Sequence, residues 1–167
     1  MSYRIGQGYD VHQLKPKLPL ILGGINIAHD KGIVAHSDGD VLIHAIIDAI
    51  LGAYNLGDIG KIFPNNRESC NMSGLLMLEK IKNIINKNKD SRKFVIQNID
   101  ATIILQKPKL FTYIKLMSQN ICKSLELKPE LISIKATTTD YLGFIGKEEG
   151  IACLAVCLIS KRKRAKK

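Results

Sequence analysis

A chain of 167 residues that is 46% apolar has material for one compact domain with a real core and too little for two. Charged residues make up 24% and are interspersed with apolar runs, which excludes a natively disordered body. The net charge of +10 suggests phosphate-bearing partners, but Lys161, Arg162, Lys163, Arg164, Lys166 and Lys167 supply six of those charges within the last seven residues, leaving +4 for the rest.

The opening segment MSYRIGQGYDVH has neither the apolar core of a secretory signal nor the Arg/Ser-rich character of a transit peptide. A cytoplasmic location is expected, with a plastid-type stroma open if a leader has been removed. No apolar stretch approaches the roughly 20 residues that a bilayer span needs, so no membrane partner is expected. A strand is expected over 2–7, closing on Gly8, and a second stretch of strand over 19–27 with Gly23-Gly24 as a hairpin turn. A nearly all-apolar helix follows from Asp40 to Tyr54, with HSDG ahead of it supplying Ser and Asp caps. LGDIGKIFPNN carries Gly57, Gly60 and Pro64 and reads as a loop. A helix over 73–87 puts Leu75, Leu78, Ile81 and Ile85 on one face.

Next come a strand over 94–106, a helix over 109–126, a strand over 131–138 and a last strand over 150–159. Four cysteines without a CxxC pair read as reduced thiols, and Cys153 and Cys157 sit in the apolar run IACLAVCLI as small core residues. Strands and helices interleave, with hairpins bracketing them. The expected class is α+β: a mixed four-stranded sheet covered on one side by helices, plus a small hairpin, in one domain over 1–159. Residues 160–167 form a solvated basic tail. Trp is absent and the aromatics are scattered, so no stacking platform for single-stranded nucleic acid is visible and no nucleic-acid partner is expected.

Three groups of residues can carry chemistry. Asp10 and His12, two apart on a strand, share a face and can converge on one ion, and His44 is a polar ring in an apolar helix. Each has an ordinary alternative: Asp10 can cap a turn, and His44 can be a core histidine bonded to a carbonyl. HSDGD at 36–40 stands at a helix N-terminus, where free amides suit a phosphate or are satisfied by Ser37 and Asp38 as caps. KATTTD at 135–140 ends a strand in three hydroxyls and a carboxylate, able to donate to phosphate and to hold a hard divalent cation, although Thr runs are ordinary on strands.

Six segments together resemble one family. GYDVH at 8–12, Gly23-Gly24, AHSDGDV at 35–41 with His44, LGDIGKIFP at 56–64, IILQKPKL at 103–110 and KATTTDYLGFIGKEEGIA at 135–152 are similar, in order and over nearly the full chain, to the 2-C-methyl-D-erythritol 2,4-cyclodiphosphate synthase family. The resemblance implies a homotrimer with active sites between subunits. It implies the cyclisation of 4-diphosphocytidyl-2-C-methyl-D-erythritol 2-phosphate, with release of CMP, in the non-mevalonate route to isoprenoid precursors.

Carried over by position, Asp10, His12 and His44 would hold zinc, and Asp140 a magnesium or manganese ion. His36 and Thr138 would stabilise the transition state, and Ser37 would touch phosphate. Asp58, Ile59, Gly60, Phe63, Asn65 and Arg67 would line the methylerythritol side. Leu105, Pro108, Lys109, Leu110 and Phe111, with Thr137 and Thr139, would form a cytidine pocket across the subunit boundary. Phe144 and Lys147 would face an axial channel able to take an isoprenoid diphosphate.

Several positions depart from the family pattern. Asp140 stands where Glu is usual, shortening the reach to a second metal, and Asn65, Asn66 and Arg67 replace an acidic segment. Leu105 replaces a small residue, Lys147 and Glu148 replace Arg and Gly, and Leu154 stands where Glu is frequent. A lysine binds phosphate as a point charge and lacks the bidentate fork of arginine. Two other readings remain: a basic nucleic-acid-binding module, and a zinc phosphoesterase of other specificity.

Overall fold

The computed structural model describes residues 2–35, 37–64 and 72–162. His36, Asn65, Arg67 and the tail from residue 163 onward, all singled out above, lie outside the described residues.

The first strand is far longer than the 2–7 expected. β1 (Tyr3–Pro16) runs antiparallel to β7 (Gly150–Lys161) in unbroken register from Tyr3↔Ser160 to Gln13↔Gly150, so Gly8 interrupts nothing. After β1 come β2 (Leu20–Leu22) and β3 (Ile25–Ile27), the expected hairpin about Gly23 and Gly24, then a short β4 (Lys31–Ile33). The rest of the sheet is β5 (Phe94–Ile104), antiparallel to β7, and β6 (Ile132–Thr137), parallel to β5. The order β4-β1-β7-β5-β6 makes a mixed sheet of five strands where four were expected. The fifth is β4, three residues paired with the far end of β1 and too short to announce itself by alternation.

α1 (Val41–Tyr54) is the expected central helix, with every residue except Asp48 and Gly52 buried. Burying one Ile or Leu is worth about 2 kcal/mol, so α1 holds the helical layer to the sheet. Its N-cap is Asp40 itself, whose carboxylate accepts from the Ile43 amide at 3.1 Å and the Gly24 amide at 2.8 Å. Ser37 and Asp38 serve other amides. The segment expected as a loop contains a one-turn helix, α2 (Ile59–Ile62), capped by Asp58, whose carboxylate accepts from the Lys61 amide at 2.9 Å. α3 (Gly74–Lys87), capped by Ser73, and α4 (Phe111–Leu125) bury one stripe each and pack on one another. A second one-turn helix, α5 (Gly143–Gly146), precedes β7.

The opposite sheet face is bare. Ile5 is 69% exposed, and Tyr3, Tyr9, Val11, Leu154 and Val156 are also exposed, with Tyr9 and Leu154 direct cross-strand partners. Cys153 and Cys157 are buried, and burial pushes the Cys157 thiol up to about 12, so neither is a nucleophile at neutral pH. No helix among the described residues is long and apolar enough to cross a membrane.

Candidate metal centre and cleft

The first group of candidate residues does come together. β1 turns Asp10 and His12 to one face, and α1 lies so close over β1 that a Cβ on Gly6 or Gly8 would run into the carbonyl oxygen of Ala49 or Ala45. Glycine is needed there for the close approach of a helix, and that approach carries His44, next to Ala45, onto Asp10.

Asp10 Oδ2 is 3.0 Å from His12 Nε2 and 3.0 Å from His44 Nδ1. One donor atom from each of the three residues lies within 4.8 Å of the others, and the two rings meet edge to face with centroids 5.8 Å apart. His12 Nδ1 is 3.3 Å from the Val34 carbonyl, which can only accept, so the proton of the neutral ring sits on Nδ1 and the lone pair on Nε2. That Nε2 is buried and, although near Asp10, is out of line for a hydrogen bond. On His44 the far nitrogen, Nε2, looks toward Ser37 Oγ at 3.5 Å and Asp38 Oδ1 at 3.9 Å, which leaves Nδ1 to face Asp10.

Burial alone would raise the Asp10 carboxyl, but the adjacent His12 and His44 rings outweigh it and hold Asp10 far below the usual carboxylate range. The Asp10 carboxylate in turn raises His12 against the effect of burial. Two imidazoles and an ionised carboxylate, with one buried ring nitrogen lacking a hydrogen bond, fit a divalent transition-metal ion with a coordination position to spare.

Around the triad, Ser37 Oγ accepts from the Gly39 amide at 3.2 Å, and Asp38 accepts from the Asp40 amide at 3.2 Å and from Gly74, the first residue of α3, at 2.7 Å. The first two are local turn bonds, and the third ties the start of α3 to the segment before α1. One turn beyond His44, Asp48 accepts from the Ile59 amide at 2.7 Å, pinning α2 to α1. Asp58, Ile59, Gly60 and Phe63 thus lie on a segment anchored beside the triad. Asp48 was missed in the sequence, although a lone acid in an apolar helix one turn from His44 was a usable signal.

The other expected residues gather elsewhere. Leu105, Pro108, Lys109, Leu110, Phe111, Thr137 and Thr138 line one cavity of about 640 Å³ with Gln106, which lies in the same IILQKPKL stretch, and with Ile114, Lys115 and the β6 residues Ile134, Lys135 and Ala136, which were not foreseen. Thr139 and Asp140 do not line it. The Thr139 hydroxyl donates to the Leu142 carbonyl at 2.7 Å, and the Asp140 carboxylate accepts from the Thr138 hydroxyl at 3.2 Å. Phe144 is half exposed, and Lys147 closes α5.

Register measures the gap between triad and cavity. Asp10 pairs with Cys153, Cys153 with Ile103 and Ile103 with Ala136, so Asp10 and the cavity wall stand at one level of the sheet, three strand spacings apart. At 4.7–4.9 Å per spacing that is about 14 Å.

The sequence and the fold recur in known proteins. A 2-C-methyl-D-erythritol 2,4-cyclodiphosphate synthase of Clostridium botulinum is 55% identical over 157 residues, 93% of this chain and 99% of its own. A solved IspF of Plasmodium falciparum in complex with CDP superposes with a TM-score of 0.83 at 35% identity, covering 97% of this chain and 98% of that one. The bifunctional IspDF of Campylobacter jejuni matches with a TM-score of 0.87 at 39% identity, over 99% of this chain and 44% of that longer one. The YgbB family model matches residues 3–160, which include both the triad and the cavity. With relatives this close along nearly its whole length, the chain belongs to the YgbB family.

Proposed function

We propose that this chain is a 2-C-methyl-D-erythritol 2,4-cyclodiphosphate synthase of the non-mevalonate pathway, in which the 2-phosphate of 4-diphosphocytidyl-2-C-methyl-D-erythritol 2-phosphate attacks the β-phosphorus of the same molecule. The new P–O bond closes the ring, the bond from the β-phosphorus to the bridging oxygen breaks, and CMP leaves with that oxygen. The observation that carries the reading is the Asp10, His12 and His44 triad, with its hydrogen-bond-free Nε2, in a chain 55% identical to named synthases.

A zinc ion held by Asp10, His12 and His44 would supply Lewis-acid polarisation of a phosphate oxygen. The chain's own contribution is placement, which dominates phosphoryl transfer. Asp38 and Ser37 keep the His44 ring turned so that Nδ1 faces inward, and the Val34 carbonyl turns the His12 ring so that Nε2 faces inward. The apolar cavity takes the cytosine, with Phe111 at its lip and Lys109 offering a cation to phosphate. Thr138 donates a hydroxyl to the diphosphate, Thr137 and Thr139 flank it, Ser37 reaches it from the α1 side, and His36 would share with Thr138 the stabilisation of the transition state. Asp140 would help hold a magnesium or manganese ion, which would neutralise charge on the diphosphate. Residues 58–63, with Asn65 and Arg67, would enclose the methylerythritol.

A homotrimer accounts for the two separated half-sites and the bare sheet face together. Exposed apolar side chains grouped on one sheet face suit burial against another subunit, and the cavity of one subunit would then complete the triad of its neighbour. Phe144 and Lys147 would line the axis, where an isoprenoid diphosphate could lie. The domain would comprise residues 1–159, with the basic tail beyond it.

The test is incubation with the substrate, zinc and magnesium, followed by phosphorus NMR. Cyclic diphosphate and CMP are expected, whereas linear phosphate products would support a zinc phosphoesterase instead. His44→Ala should lower bound zinc from about one per chain to near none and cut CMP release by about 1,000-fold. Full turnover by a metal-free chain would overturn the reading.

A further inference from the structure

Directly after Thr138 the backbone does something unusual for side-chain-bearing residues: Asp140 (φ 49°) and Tyr141 (φ 65°) both take the left-handed conformation, one after the other. Non-glycine residues persist there only when their surroundings leave no alternative. Part of that constraint is local. The Asp140 amide donates to the Thr138 hydroxyl at 3.3 Å, and the Leu142 amide to the Thr139 carbonyl at 2.9 Å. Gly146 presses from below, where any Cβ would collide with the Tyr141 backbone.

The rest comes from outside the turn. Gln106 is a buried side chain in the wall of the 640 Å³ cavity, and its Oε1 accepts from the Tyr141 amide at 3.3 Å. Its neighbour Leu105 ties the same loop to β6 by donating its amide to the Thr137 carbonyl at 3.0 Å. The loop that would hold the base is thus bonded on both sides of Thr138, at Thr137 and at Tyr141. A buried amide side chain keeps a fixed partner because leaving one unmade is costly. Met would fill the space of Gln106, so the polar group there serves the bond to Tyr141 and not the packing.

We infer that Gln106 is a positioning residue: by holding Tyr141 left-handed it fixes the direction in which the Thr138–Asp140 segment leaves β6, and so sets that segment's distance from the base cavity. This rests on the reading above, in which that cavity takes cytosine and Thr138 and Asp140 face the diphosphate. Gln106 itself touches neither reacting oxygen. Its influence falls on the alignment of the β-phosphorus for attack, where small displacements are costly to rate.

Gln106→Met removes the acceptor at similar length. It is expected to lower kcat about tenfold while KM changes less than threefold, and to speed hydrogen exchange at the Tyr141 amide. Glycine takes the left-handed conformation without strain, so adding Tyr141→Gly to Gln106→Met should bring kcat back to within about threefold of the parent. Unchanged exchange at Tyr141 in Gln106→Met would overturn the inference. So would a kcat within twofold of the parent, or a loss that Tyr141→Gly does not relieve. If the parent chain makes no cyclic diphosphate, the proposed function fails, and the exchange measurement alone still decides the role of Gln106.

Discussion

The two halves of the candidate site are built by different means. At the β1 edge each metal-facing group belongs to a long regular element pressed into the core, and the spacing is set by backbone packed on backbone at Gly6 and Gly8. Around the cavity the substrate-facing groups sit at element ends and on connecting segments: Phe111, the first residue of α4, is 90% exposed, the Thr139 hydroxyl is bonded within its own turn, and two residues after β6 are held left-handed. A metal site tolerates little error in ligand placement, so the rigid half suits the cation. The open half suits a flexible substrate and a neighbouring subunit that would close over it.

The comparison breaks most severely if the open side is never covered. Ile5 is 69% exposed in the lone chain, so Ile5→Asp should leave the fold of a subunit nearly untouched. In an assembly that buries the bare face, the same carboxylate would be stranded without a partner. Sedimentation should show the proposed trimer for the parent and monomers for the variant, with CMP release down about 100-fold and one bound zinc per chain retained in the triad. An intact trimer with full activity would mean that this face is not the interface.

A smaller effect is expected from disturbing the rigid half. Gly8→Ala places a methyl against the Ala45 carbonyl, and backbone cannot yield as a side-chain tip can. Either α1 lifts from β1 or the strand bends, at about 3 kcal/mol by denaturant unfolding. Because the shift acts beside His44, zinc affinity should fall as well. A variant as stable as the parent with unaltered zinc binding would mean that the close approach does not set the ligand spacing.

Sequence reading was most successful where regular periodicity and unusual residue placement coincided. The period of two in GYDVH and a histidine inside an apolar helix made Asp10, His12 and His44 candidates, the family resemblance joined them into one site, and α1, α3, α4 and the long strands followed from their apolar spacing. The extent of β1 was missed because Gly8 read as a stop, when its meaning lay in a helix more than 30 residues later. β4 and α2 were missed because three- and four-residue elements have no period to detect. Asp40 was taken as the first helical residue when it is the cap, since only the fold shows that its carboxylate also reaches Gly24. Gln106 was covered only as the end of the 94–106 strand and as part of IILQKPKL: nothing in the sequence singled out its side chain, whose partner is 35 positions away.

Asp40 also gives the rigid half a property that the open half lacks. It is fully buried, and burial pushes its carboxyl up to about 6, although the amides of Gly24, Gly23 and Ile43 favour the charged form; nearby Asp38 pushes upward as well. In the unfolded chain the same group titrates near 3.8. Between those values the folded state keeps a proton that the unfolded state has released, so stability falls as pH rises through the window and levels off above it. Below 3.8 both states are protonated and the penalty is absent. Asp40→Asn keeps a side-chain oxygen at the cap and cannot titrate, so its stability should lack that slope whatever its absolute value. Urea midpoints of parent and variant, compared after metal removal because bound metal brings its own pH dependence, should converge or separate steadily between about pH 4 and 6 and then run parallel. The titrations of Asp10 and His12 occur in both proteins and cancel in the difference. Parallel profiles across that window would mean that Asp40 is ionised at little cost, with its three amides offsetting burial and the junction of α1 with the β2–β3 hairpin insensitive to pH.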